Sequence, residues 1–161
     1  MTRAVLSIGS NLGDRLANLR IATAGLAPNL VAASSVYETA PWGVTDQPDF
    51  LNAVLLVDDP EADAWAWLHR AQDLERRAGR VRTQHWGPRT LDVDIVTVDG
   101  VTSDHPDLLL PHPGTPHRAT VLLPWLEIDP TATLPGHGPL RDLLATLDTT
   151  GIHRCDDLTL H

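Results

Sequence analysis

An α+β fold, an antiparallel sheet with helices packed against it, is what this sequence predicts, and two observations carry the prediction. Short apolar runs rich in β-branched residues are bounded by glycine, proline or aspartate, as strands are. Between them lie two stretches whose apolar residues recur every three or four positions, as in helices with one buried face. Their order along the first hundred residues is strand, helix, strand, strand, helix, strand.

Ala4 to Ile8 is the first apolar run, ended by Gly9. Asp14 can cap a helix whose stripe is Leu16, Leu19, Ala22 and Leu26, closed before Pro28. Leu30 to Glu38, with valines and small residues, reads as the second strand. It leads into the loop TAPWGVTDQPDF, which is long for a small domain and has no period of its own. Asn52 to Val57 is the third strand, stopped by Asp58, Asp59 and Pro60. Trp67, Ala71, Leu74 and Ala78 mark one face of a helix from about Ala62 to Ala78, with Gln72 and Glu75 on an adjoining face and Gly79 at its end. Asp92 to Val98 is the fourth strand, and Asp99-Gly100 suggests a hairpin back through Val101. Beyond it lie the proline-rich loop PHPGTPHR, a short helix from Ala119 to Leu126 and a better one from Leu140 to Leu147. This order is that of the ferredoxin-like αβ sandwich, a four-stranded antiparallel core sheet with helices packed on it. Such a fold says little about function by itself.

The length of 161 residues makes residues 1–161 one domain, able to bury a core without staples, and 42% hydrophobic residues is ordinary for a soluble protein. Cys155 is the single cysteine, so no internal disulfide can form. The early residues Arg3, Asp14, Arg15 and Arg20 interrupt any long apolar run, and neither a secretory signal nor a membrane span is expected. A cytoplasmic protein follows as the expectation. A net charge of -9 argues against a nucleic-acid partner, which would need a basic surface to release counterions. The eight histidines show no metal-ligand spacing with a cysteine, which disfavours a zinc site.

Basic charge is nevertheless concentrated in one place. All twelve basic residues are arginine, and Arg80, Arg82, Arg89 and Arg118 fall around the aspartates Asp92 and Asp94. On a strand the two-residue period turns both carboxylates to one face, where they can share oxygen-ligated cations, whereas a helix would splay them roughly 200° apart. Gly87 and Pro88 put the preceding arginines on a loop, and arginine is the residue that forks onto phosphate oxygens. The stretch RVRTQHWGPRTLDVDI, Arg80 to Ile95, therefore reads as a site for a magnesium-bound triphosphate. Without its neighbours each feature has a plainer explanation. An aspartate pair can be solvated surface, loop arginines usually pair with carboxylates, Phe50 and Trp86 can be packing, and Gln72 and Glu75 are by default a solvated helix face. SIGSNLGDR is glycine-rich but lacks the lysine of a phosphate-binding P-loop, and reads as a strand-to-helix turn near the substrate.

SIGSNLGDR, YETAPWG, DQPDFLNAV, GRVR, WGPRTLDVDI and LPHP followed by Arg118 resemble, in order and spacing, the hydroxymethyl-dihydropterin pyrophosphokinases of folate biosynthesis. The resemblance runs from Val5 to about Pro130, and the last thirty residues carry no motif. It implies transfer of pyrophosphate from ATP to the hydroxymethyl group of a reduced pterin, with release of AMP. A monomer without nucleic-acid or membrane partners is the expectation. Asp92 and Asp94 would hold two magnesium ions and act in catalysis with Arg80 and Arg89. Arg82 would join those arginines on the phosphates from a mobile loop that Trp86 seals. Gln72, Glu75, Ile95, His112 and Arg118 would surround the nucleotide. Asn52 would read the amide edge of the pterin, with backbone groups near Thr39 and Trp42, while Phe50 stacks on its ring. Two residues after Arg118 the family usually has a second aromatic that completes a sandwich around the pterin, and here Thr120 stands there. One lost stacking face costs on the order of 1–3 kcal/mol, so Thr120→Phe is expected to tighten pterin binding.

Two other classes compete at this stage. A kinase of the terminal phosphate or a phosphohydrolase would use the same aspartates and arginines and differ in products. An RNA-binding module on such a sheet would need exposed aromatics and a basic face; the chain has five tryptophans, one tyrosine and one phenylalanine, with an acidic balance.

Overall fold

The computed structural model describes residues 3–40, 48–79 and 90–160. Strand β1 (Arg3–Ser10) is buried along nearly its whole length, because alternate residues serve two different layers. Asp14 then caps helix α1 (Arg15–Gly25), its side chain accepting from the amide of Ala17 at 3.1 Å. The chain returns through β2 (Leu30–Ala33) and β3 (Val36–Thr39), and then β4 (Phe50–Asp58). Asp63 caps α2 (Ala64–Arg77) in the same way at 2.8 Å, and β5 (Asp92–Val98) completes the expected set.

The second strand expected from Leu30 to Glu38 is two strands. At Ser34 the amide donates to the carbonyl of Val54 and the hydroxyl accepts from the Val54 amide, each at 2.9 Å. A side-chain oxygen thus stands in for a backbone carbonyl, and the chain steps off the regular ladder. β2 pairs with the Leu55–Val57 stretch of β4, and β3 with its Phe50–Asn52 stretch. Gly9 likewise does not end β1, which runs on to Ser10.

After β5 come the hairpin β6 (Ser103–His105) and β7 (Leu108–Leu110), then α3 (Ala119–Ile128), the small pair β8 (Thr133–Leu134) and β9 (Gly138–Pro139), and α4 (Leu140–Leu144). The turn at Asp99-Gly100 leads back through a single bridge between Val98 and Val101. α4 is shorter than the Leu140–Leu147 helix expected. The strand β10 (Ile152–Cys155) was not anticipated; it pairs antiparallel with β3, Ile152 opposite Thr39.

The main sheet is antiparallel, in the order β10-β3-β4-β1-β5 with β2 also on β4. The expectation of an antiparallel sheet with helices against it is met, but the sheet has six strands rather than four. One face carries Leu6, Ile8, Leu55 and Ile95 against α1 and α2, centred on the fully buried Trp67. The two helices approach closely at Gly25, where a Cβ would come within 2.5 Å of Leu74 Cδ2. The other face carries Val5, Val54, Leu56 and Val96 against α3 and α4, with Leu122 and Trp125. The C-terminal tail is tied back onto α1: Arg20 Nε donates to the Thr159 carbonyl and Thr23 Oγ1 to that of Leu160, both at 2.9 Å.

Candidate functional site

α3 covers only part of its face of the sheet, and the rest of that face is polar. The strand register builds it in rows. Asn52, Gly9 and Asp92 stand side by side on β4, β1 and β5, and Val54, Ser7 and Asp94 form the next row. Residues directly opposite across strands point to the same face, so these rows become the floor of a cleft. Gly9 keeps the floor low, since a Cβ there would lie 3.0 Å from Asn52 Oδ1 and 3.5 Å from Phe50 Cδ1. Asn52 is oriented by donating from Nδ2 to Thr39 Oγ1 at 2.8 Å. The resulting cleft has a volume of about 440 Å³, with Arg118 and Thr120 from the start of α3 on its wall.

Asp92 and Asp94 do share one face, as a strand requires. Burial pushes the Asp94 carboxyl up to about 7, the negative charges of Asp92 and Glu75 add to the rise, and the guanidinium of Arg118 partly offsets it. Arg118 can lie across the loop before it because Gly114 has no side chain: a Cβ there would be 2.9 Å from Arg118 Nε. Burial and the same guanidinium hold His112 below the usual imidazole range.

A second cleft, of about 570 Å³, opens on the outer edge of β5 between α2 and the β6–β7 hairpin. β5 is an edge strand, so its outward backbone groups need partners from elsewhere. Glu75, only 6% exposed, reaches from α2 to accept from the Val93 amide at 2.9 Å. The His112 amide donates to the carbonyl of Val96 at 2.9 Å. Apolar side chains, among them Trp65, Leu68 and Leu109, line one part of this cleft, and Gln72, Glu75, His112 and Asp94 supply polar groups. Asp94 borders both clefts.

The family model for 7,8-dihydro-6-hydroxymethylpterin-pyrophosphokinase (HPPK) matches residues 5–130. The chain belongs to the HPPK family. Proteins named 2-amino-4-hydroxy-6-hydroxymethyldihydropteridine pyrophosphokinase are similar to it. Those of Mycobacterium tuberculosis and Mycobacterium bovis are each 52% identical over 160 residues, covering 92% of this chain and 85% of theirs. That of Methylorubrum extorquens is 41% identical, covering 97% and 100%. Among solved structures, an HPPK-DHPS in complex with substrates superposes with a TM-score of 0.70 at 13% identity, covering 90% of this chain and 43% of that one. The Plasmodium falciparum HPPK-DHPS with pteroate gives 0.69 at 15%, covering 90% and 44%. At these identities the likeness is one of fold, and the chain spans less than half of those longer chains. Among the described residues no helix is long and apolar enough to cross a membrane.

The site residues expected of an HPPK member separate into two groups in space. Thr39, Phe50 and Asn52 line the first cleft together with Asp92, Asp94 and Arg118. Gln72, Glu75, Ile95 and His112 line the second. Arg118, expected with the nucleotide group, is on the wall of the first cleft, next to the aspartates. Trp42, Arg80, Arg82, Trp86 and Arg89 lie outside the described residues. Sequence reasoning placed SIGSNLGDR, which holds Ser7 and Gly9, near the substrate without giving either residue a role, and missed Leu147, Asp148, Gly151 and Ile152, which bring the motif-free C-terminal segment to the first cleft. A glycine inside a strand pattern is a signal for close approach and could have identified Gly9. Nothing in the local sequence marks the others.

Proposed function

We propose that the chain transfers pyrophosphate from ATP to the hydroxymethyl group of 6-hydroxymethyl-7,8-dihydropterin, the pterin lying in the first cleft and ATP in the second. Pyrophosphate transfer to hydroxymethyldihydropterin, in folate biosynthesis, is the activity its named relatives and its family share. The observation that carries the assignment of the clefts is Asp94, which borders both, so two substrates can meet at one carboxylate.

In this reaction the pterin hydroxyl oxygen bonds to the β-phosphorus of ATP. The bond from that phosphorus to the oxygen bridging toward the α-phosphorus breaks, AMP leaves with the oxygen, and the hydroxyl proton passes to solvent. Charge this dense makes positioning and electrostatics the main contributions of a protein. Asn52, held by Thr39, presents amide donor and acceptor groups to the edge of the pterin, and Phe50 offers a ring face. Gln72, Glu75, Ile95 and His112 surround the nucleotide, and Arg118 places a fixed positive charge beside the phosphates. Arg80, Arg82, Arg89 and Trp86 close on the triphosphate, with Arg80 and Arg89 contributing to the transfer, and Trp42 assists with the pterin, as the family motifs they occupy imply.

Asp92 and Asp94 fit two magnesium ions. They are adjacent carboxylates, and one is held back from ionising by burial and by the other, a situation that a cation relieves. Bound there with ATP, the ions would neutralise the triphosphate and acidify the substrate hydroxyl. Among the described residues no third histidine, cysteine, aspartate or glutamate joins them in a cage, which suits magnesium ligated largely by phosphate and water. We also take the working protein to be a cytoplasmic monomer. An RNA-binding role is not favoured, because the open part of the sheet face carries Asp92 and Asp94 and the chain is acidic overall.

Incubation with ATP, magnesium and the reduced hydroxymethyl pterin tests the reading directly. AMP with pterin diphosphate is the expected result. ADP would indicate transfer of the terminal phosphate only, free phosphate would indicate hydrolysis, and either would overturn it.

A further inference from the structure

We propose that Leu147 and Ile152, from the C-terminal segment, form the second face of the pterin slot opposite Phe50. This rests on the assignment of the first cleft to the pterin and adds the residues that determine how tightly a flat ring is held there.

The placement follows from the register. Phe50 on β4 is opposite Thr39 on β3, and Thr39 is opposite Ile152 on β10. Cross-strand partners share a face, so the three side chains stand in one row on the cleft side, large, small, large. Phe50 leans toward β1, its Cδ1 3.5 Å from where a Cβ on Gly9 would lie, so its ring borders the cleft floor beside Asn52 and Asp92. A planar ring on that floor has a second face to cover, and Leu147 and Ile152 line the same cleft as Phe50. Thr39, 5% exposed and bonded to Asn52, is the floor between them. Leu147, just before the turn into β10, is half-buried and packs on the α3 side of the sheet while also lining the cleft.

The wall is anchored. β10 pairs with β3 over four residues, and the Arg154 guanidinium lies 4.0 Å from the Glu127 carboxylate of α3. Tyr37, opposite Arg154 in the register, donates its hydroxyl to Glu127 of α3, so sheet, β10 and α3 are tied together beside the cleft. Aliphatic side chains on a fixed strand supply dispersion contact to a ring face where Thr120 supplies little. On this reading the slot is already closed, which reverses the expectation for Thr120→Phe.

The test is calorimetric titration of the reduced hydroxymethyl pterin into the full chain with magnesium and a non-reactive ATP analogue, with thermal melts alongside. L147A/I152A is expected to weaken pterin binding by about tenfold, leave the affinity for the ATP analogue within about twofold and keep the melting temperature near the parent's, while I152V stays close to the parent. Pterin affinity within about twofold of the parent in a folded L147A/I152A protein, or equal losses for both ligands, would overturn the proposal. Should that variant melt early, T120F decides: no gain supports a slot already filled, and tightening of about tenfold shows an open face. Because binding is read rather than turnover, a parent that binds pterin but makes no AMP would sink the reaction assigned above and leave the slot standing.

Discussion

The two faces of the sheet are made by the same strands and do different work. Toward α1 and α2, β1 presents Leu6 and Ile8 and β5 presents Val93 and Ile95, all buried. Toward α3, the same stretches present Ser7, Gly9, Asp92 and Asp94 to an open cleft. The period of two lets each strand be core on one side and site on the other, residue by residue. The site therefore inherits the rigidity of a packed sheet, and a buried apolar neighbour lies on each side of Asp94 in the chain.

Substitutions that respect or cross this division should separate cleanly. The largest effect is expected from Asp94→Ala, which should lower AMP formation by roughly a thousandfold or more while the thermal melt without metal stays at or above the parent's. Near-normal rates at saturating magnesium would remove Asp94 from the site. On the opposite face, Leu6→Ala deletes buried volume and should cost about 2–5 kcal/mol of stability by denaturant unfolding, with substrate affinities in the surviving folded protein little changed. A large loss of affinity without loss of stability would break the comparison.

The smallest effect is a slope. Without metal, the folded chain holds a proton on Asp94 up to about pH 7, while an unfolded chain releases it in the ordinary carboxylate range. The stabilisation from this proton is present below that ordinary range and is lost as pH rises through about 7. Melts of metal-free protein should fall over this window, Asp94→Asn should flatten the fall, and magnesium should raise the melt most at the alkaline end. An identical pH profile in Asp94→Asn would place the proton elsewhere.

Much of this was legible in the chain. β5 spans Asp92 to Val98 as expected, Asp14 caps its helix, and the stripes of both helices face the core. The family motifs brought Thr39, Phe50 and Asn52 to one cleft and Gln72, Glu75, Ile95 and His112 to the other. The break at Ser34 was hidden because it depends on which backbone group a hydroxyl meets across the sheet. Glu75 read as a solvated face, yet it is buried, since its partner is an edge-strand amide that no helical pattern reveals. β10 and the wall it brings were hidden for the same reason: Ile152 matters because Thr39, more than a hundred positions earlier in the chain, is opposite it.

What the amino-acid order decided alone is local: that Asp92 and Asp94 point the same way, and which stripe of each helix turns inward. These follow from periods of two and 3.6, which involve neighbours in the chain. The tertiary structure decided which side chains stand beside them. Register between strands sets those neighbours, and it placed Gly9 between Asn52 and Asp92, Asp94 on the border of two clefts and a motif-free tail beside the pterin slot.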